Sequence, residues 1–82
     1  MKDKTAVLIP SLSPDEKLLS AIKELRKEGF SHILVVNDGS APSYGHFFDE
    51  AKVLGAEVIT HTVNQGKGRA LKTGINHILL HW

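Results

Sequence analysis

The segment Asn37-Asp38-Gly39-Ser40 follows directly on the apolar run Ile33-Leu34-Val35-Val36, and Asn64-Gln65-Gly66-Lys67-Gly68-Arg69-Ala70 opens a stretch with helical periodicity. A carboxylate at the end of a buried strand can accept hydrogen bonds from N–H and hydroxyl groups, and a uracil ring or a ribose offers these. Glycine at position 39 lets the chain turn sharply or approach a ligand closely. Glycines at a helix start leave backbone N–H groups free where the helix dipole favours an anion. Lys67 and Arg69 would add charge-assisted bonds to a phosphate. The two segments together describe two walls of a pocket for a nucleotide carried on a diphosphate. Each also has a structural alternative. Asp38 and Ser40 can form an Asx-type turn that caps the next segment, and Gly66 to Gly68 can be a turn flanked by solvated basic residues. The Asx turn and a ligand-binding Asp38 can coexist.

Other chemistries find less support. Gly68 follows Lys67 where a Walker loop requires Ser or Thr, and His61 stands in place of that loop's leading glycine. No Gly-x-Gly-x-x-Gly follows the first apolar run, which argues against a nicotinamide site. Of the histidines, His32, His46, His61, His77 and His81, only the last two share helical i, i+4 spacing, and no acidic residue lies near them in sequence. They are expected at the surface rather than around a metal. His61 lies close to the expected pocket and is a candidate ligand contact. Ser11 and Ser13 have no visible base partner, so no catalytic nucleophile is assigned. Trp82 is expected to pack with Leu79 rather than to stack on a base.

The elements that must position these residues are legible from periodicity. Ala6-Val7-Leu8-Ile9, Ile33-Leu34-Val35-Val36 and, more weakly, Ala56-Glu57-Val58-Ile59 are unalternating runs, as suits parallel strands covered on both faces. Between the first two, Ser13 reads as an N-cap, Pro14 as the first helical residue and Glu16 as the capping-box partner. Leu18, Ile22 and Leu25 recur on one face with Leu19 and Ala21 beside them, and Gly29 supplies the stop. A second helix is predicted from Tyr44 to Leu54, with Phe47, Phe48, Ala51 and Leu54 inward and Gly55 ending it. A third starts at Gly66 or Lys67 and runs through Leu71, Ile75, Ile78 and Leu79. Three parallel strands alternating with three helices predict an α/β fold, a doubly wound three-layer α/β/α sandwich. Such sheets bind ligands beyond the carboxyl ends of their strands. Pro10-Ser11, Asn37 to Ser40 and His61 to Gly68 all fall on that edge.

Eighty-two residues make a single domain over 1–82, and a domain of this size buries only about 60–65% of its unfolded surface. The apolar fraction of 41% and charged fraction of 23% are those of a globular protein. No apolar stretch approaches the roughly 20 residues of a membrane-spanning helix. Met1-Lys2-Asp3-Lys4-Thr5 runs straight into a four-residue apolar segment, too short for a signal-peptide core. The absence of cysteine fits a cytoplasmic chain, and a net charge of +1 gives no global pull toward nucleic acid.

The chain resembles the amino-terminal part of a family 2 glycosyltransferase with the GT-A, Rossmann-like fold. The resemblance runs from Thr5 to about Leu80. It rests on Val7-Leu8-Ile9-Pro10, on Val35-Val36-Asn37-Asp38-Gly39-Ser40 and on Asn64-Gln65-Gly66-Lys67-Gly68-Arg69-Ala70-Leu71-Lys72-Thr73-Gly74, in that order and spacing. It implies that Pro10 and Ser11 lie along base and ribose, that Asp38 holds the base of a UDP- or GDP-linked sugar beside Gly39, and that Gly66, Lys67 and Gly68 line the nucleotide side. Asn37 replaces the first of two aspartates often found in the family, and Ala41-Pro42 replaces a more usual Thr-Asp or Ser-Asp.

In that family an Asp-x-Asp on a later strand binds the divalent metal, Mg or Mn, and the acceptor-side base lies further on. Neither is present in this sequence. The resemblance therefore implies a truncated transferase that needs no cofactor of its own and is inactive alone, its longer form membrane-associated in some relatives. A non-catalytic nucleotide-binding or self-associating α/β module is the alternative. In the family's strand order the first strand is central, so here it is expected as an exposed edge. A homo-oligomer through that strand or the third helix follows.

Overall fold

Three parallel strands, β1 (Ala6–Ser11), β2 (His32–Asp38) and β3 (Glu57–His61), form one sheet in the order β1-β2-β3. The computed structural model describes residues 5–82, so the amino-terminal flank Met1 to Lys4 lies outside the described residues. Helix α1 (Glu16–Lys27) joins β1 to β2, and α2 (Gly45–Val53), preceded by a 3₁₀ turn at Pro42–Tyr44, joins β2 to β3. Helix α3 (Lys67–His81) follows β3. The predicted α/β alternation is the observed one.

β2 is the middle strand, and its apolar run is the centre of the core. Ile33 and Val35 face α1 and α2 and pack with Leu18, Ile22, Phe48 and Ala51. Leu34 and Val36 face the other way, toward Ala70 of α3, with Leu8, Ile59 and Ile78 around them. All four β2 side chains are buried, which explains why the run does not alternate. Two right-handed crossovers in the same direction put α1 and α2 on one face, and α3 crosses to the other. The result is three layers. β1 is an edge strand, the one setting in a sheet where Pro10, lacking an N–H, is readily tolerated.

Helix ends decide how the loops leave. Both α1 and α2 stop in the same way. Gly29, at φ 100°, donates to the Arg26 carbonyl while Phe30 donates to Leu25; Gly55, at φ 101°, donates to Lys52 while Ala56 donates to Ala51. These are Schellman closures, and each turns the chain straight into the next strand. The start of α1 differs from the expectation. Asp15, not Ser13, is the N-cap, its side chain accepting from the Lys17 amide at 2.9 Å. Pro14 biases its predecessor away from right-handed helical geometry, and Ser13 adopts φ 51° instead. Its amide is then free to donate to Ser40 Oγ at 3.0 Å, tying the β1 loop to the β2 loop.

α3 meets the sheet through Ala70 and Gly74, both buried. A side chain at Gly74 would overlap Leu8, so the helix lies close against β1. Ile75 and Leu79, part of the apolar pattern that marks this helix, are 51% and 76% exposed. Ala21 of α1 is exposed as well. No helix among the described residues is long and apolar enough to cross a membrane.

Candidate functional site

Asp38 is the last residue of β2 and stands beside His61, the last residue of β3, in the parallel register. The residue is only 4% exposed. Oδ1 accepts from His61 Nδ1 at 2.7 Å and from the Gln65 amide at 3.1 Å. Hydrogen bonding from His61, then from the amides of Gln65 and Gly66, holds the carboxyl below its ordinary range against the opposing effect of burial. The group is therefore ionised and can only accept. The other His61 ring nitrogen, Nε2, lies 2.9 Å from Thr73 Oγ1 on α3.

The Asx turn belongs to the neighbouring residue. Asn37 Oδ1 accepts from the Ser40 amide at 3.0 Å, which leaves Asp38 free to face the β3–α3 loop. Gly39 sits at φ 78°, and a Cβ there would overlap the backbone of Val63 and Asn64. Glycine is required at this position because two loops touch backbone to backbone. Gly39 does not line the pocket.

The second wall is the start of α3. Asn64 Oδ1 accepts from the Gly66 amide at 2.9 Å, and Gly66, at φ 90°, is an N-cap with no side-chain bond of its own. The first intrahelical bond runs from the Ala70 amide to the Gly66 carbonyl. The amides of Lys67, Gly68 and Arg69 precede it and point out of the helix start. There is no acidic residue in this first turn to compete for them.

Between the two walls lies a concave pocket of about 350 Å³. Pro10, Ser11, Asp38, Gly66 and Lys67 line it together, with Leu12, Asn64 and Ala70. Its volume is at the lower end of small-molecule sites, so a ligand as large as a nucleotide sugar would extend beyond it. Gly68 and Arg69 lie outside the lining and are exposed. His61 is also outside it, acting on Asp38 rather than on the cavity. Three lining residues escaped the sequence reading as site members: Leu12 and, although both stood in the quoted segment, Asn64 and Ala70. Thr73 escaped it too, since no spacing rule marks a helix hydroxyl as a partner for a distant imidazole.

The opposite end of the sheet is closed by the carboxyl end of α3. There Trp82 Nε1 donates to Glu57 Oε2 at 3.0 Å, and the indole packs near His32 and His77. His77 Nε2 stands 3.1 Å from the same carboxylate oxygen. Among the described residues no group of three or more His, Cys, Asp or Glu is arranged to hold a metal ion.

Comparison with known proteins finds a matching family and two curated relatives. The family described as Glycosyl transferase family 2 matches residues 6–79. An uncharacterized protein of Methanocaldococcus jannaschii is 38% identical over 80 residues, covering 98% of this chain and 32% of its own. The glycosyltransferase AglJ of Haloferax volcanii is 30% identical over 77 residues, covering 93% of this chain and 24% of its own. The chain thus spans a third or less of the length of these relatives. No solved structure matches it.

Proposed function

This chain belongs to glycosyl transferase family 2, and from that premise we propose that it is the nucleotide-sugar-binding part of an enzyme passing a sugar from a nucleotide diphosphate to an acceptor hydroxyl. One observation carries the proposal. Asp38 and the Gly66–Lys67 helix start, far apart in the chain, line the same pocket at the carboxyl ends of the strands. Ionised Asp38 accepts from a base N–H, as uracil or guanine presents, or from a ribose hydroxyl. Pro10 and Ser11 run along base and ribose. Lys67 and the amides of α3's first turn take the diphosphate, where the helix dipole and a side-chain cation act together.

A divalent cation, expected of a longer enzyme, has no donor set among the described residues. Asp38 is already bonded to His61 and Gln65, so no step is routed through a metal here. A cytoplasmic setting, which a cysteine-free chain fits, belongs to the same proposal. A self-associating module is the second reading, favoured by the exposure of Ile75, Leu79 and Leu80 along α3.

The test is a titration with UDP, GDP and their sugars, following backbone amide resonances. Selective shifts at Asp38, Gly39 and Gly66 to Gly68 are expected. Equal shifts with inorganic pyrophosphate would reduce the site to generic anion attraction and overturn the reading.

A further inference from the structure

We propose that His61 is a positioning residue: held between Thr73 and Asp38, it fixes the orientation of the carboxylate that meets the ligand's base. The inference rests on the nucleotide-binding reading above and assigns a role to a side chain that does not itself reach the pocket.

The imidazole bridges two elements. It projects from the end of β3, with Nδ1 on Asp38 at the end of β2 and Nε2 on Thr73 in α3. Its side chain is 10% exposed. A neutral imidazole carries one proton and one lone pair. Because ionised Asp38 can only accept, the proton must lie on Nδ1. The lone pair then falls on Nε2, and the Thr73 hydroxyl donates to it. A threonine inside a helix can instead turn its hydroxyl back to the carbonyl one turn earlier. Here Oγ1 faces the ring, and the second nitrogen's partner determines which tautomer is presented to the first.

The same carboxylate oxygen also receives the Gln65 amide, 27 residues away in the chain. Oδ1 is thereby committed to the protein from two directions, and neither bond engages Oδ2. His61 and Gln65 together set the plane of the carboxylate. Gln65 is adjacent to Gly66, so the bond also fixes the distance from Asp38 to the second pocket wall. Loss of the His61 contact would leave the carboxylate held only by the loop amides of Gln65 and Gly66, free to shift with that loop. Recognition of the base would suffer, and recognition of the diphosphate, which rests on Lys67 and helix amides, would not.

The experiment uses the ¹⁵N-labelled 82-residue chain with His61→Asn, His61→Gln and Thr73→Val variants. An asparagine amide falls near the position of Nδ1 and can still donate to Asp38, whereas a glutamine amide falls near Nε2 and cannot. Long-range ¹H–¹⁵N spectra of the parent should show a proton on His61 Nδ1, and Thr73→Val, which removes only the partner of Nε2, should leave it there. Losing one charge-assisted bond, His61→Gln should weaken UDP binding about tenfold while pyrophosphate binding changes by less than about twofold, and His61→Asn should stay within about threefold of the parent. A parent ring carrying its proton on Nε2 and not on Nδ1 would overturn the proposal without any variant, even if His61→Gln fails to fold. So would equal weakening of UDP by Asn and Gln, or equal weakening of UDP and pyrophosphate. UDP binding unchanged in every variant removes the positioning role and leaves the nucleotide reading standing. Absence of UDP binding by the parent overturns that reading and the role built on it.

Discussion

Asp38 and Lys67 line one pocket but act by different physics, and substitutions should separate them. Asp38→Ala removes a directional acceptor, so affinity for UDP should fall while affinity for pyrophosphate holds. Lys67→Ala removes a charge, so both should weaken, and the loss should shrink as salt rises and screens the interaction. Titration calorimetry at low and high ionic strength distinguishes the two; equal, salt-independent losses would contradict the assignment. Asp38 also makes stability depend on pH. Its carboxyl is held below the ordinary value of 3.8, chiefly by His61 and then by the Gln65 amide. Between the lowered folded value and 3.8 the unfolded chain binds more protons, so stability rises with pH across that window. The contribution is complete above 3.8 and is lost as acid titrates the folded group. In urea unfolding, the stability gap between the parent and Asp38→Asn should therefore narrow from about pH 5 to about pH 3. A constant gap would show that the carboxyl is not held in its charged form by these bonds. At this scale the sequence was informative about which residue types mattered and silent about their partners. A carboxylate after a β-strand is visible in a string of letters. Its pairing with His61 depends on the β2–β3 register, and Thr73 depends on the rotation of α3 about its axis.

Elements were legible because their signals are local. Unalternating apolar runs became strands, fully covered only in β2, and Gly29 and Gly55 became left-handed helix stops, since neighbouring residues decide those outcomes. The start of α1 was misplaced for an equally local reason. Ser13-Pro14 satisfies the residue preferences of a cap, but Asp15 competes for the same role two residues on and satisfies the Lys17 amide. The glycines in and beside α3 and α2 divide by environment in a way that sequence does not reveal. Gly74 faces Leu8 across a close helix–strand contact, and Gly45, at the start of α2, faces open space. Gly74→Ala should destabilise the fold by about 1–3 kcal/mol, the usual cost of overpacking. Gly45→Ala, in helical geometry, should stabilise it by about 0.4–1 kcal/mol through the unfolded chain's lost entropy. Thermal or urea unfolding of both variants checks the pair, and similar shifts in the two would mean that α3 does not approach β1 so closely.

The molecule as a whole presents an edge strand and one apolar helix face. Leu79 and Leu80 are 76% and 78% exposed, with Ile75 on the same helix, while Val63 and Leu12 are exposed in the loops at the other end of the sheet. Such surface favours association, and the free edge of β1 offers unpaired backbone groups along Ala6 to Ile9, although Pro10 blunts its far end. Light scattering at micromolar concentration should show species larger than the 9.0 kDa chain, and Leu79→Lys should reduce them; a monodisperse monomer would refute this. The sequence by itself determined the order of strands and helices, the buried face of α1, and the placing of one acid and one lysine at the strand ends. Those features follow from residue spacing and turn chemistry within a few positions. Only the tertiary structure decided that His61 and Thr73 stand behind the acid, that Gly39 yields to the Asn64 backbone, and that Ile75 and Leu79 face outward. These depend on strand register and helix rotation, which arise when distant segments pack together, and no local pattern encodes them.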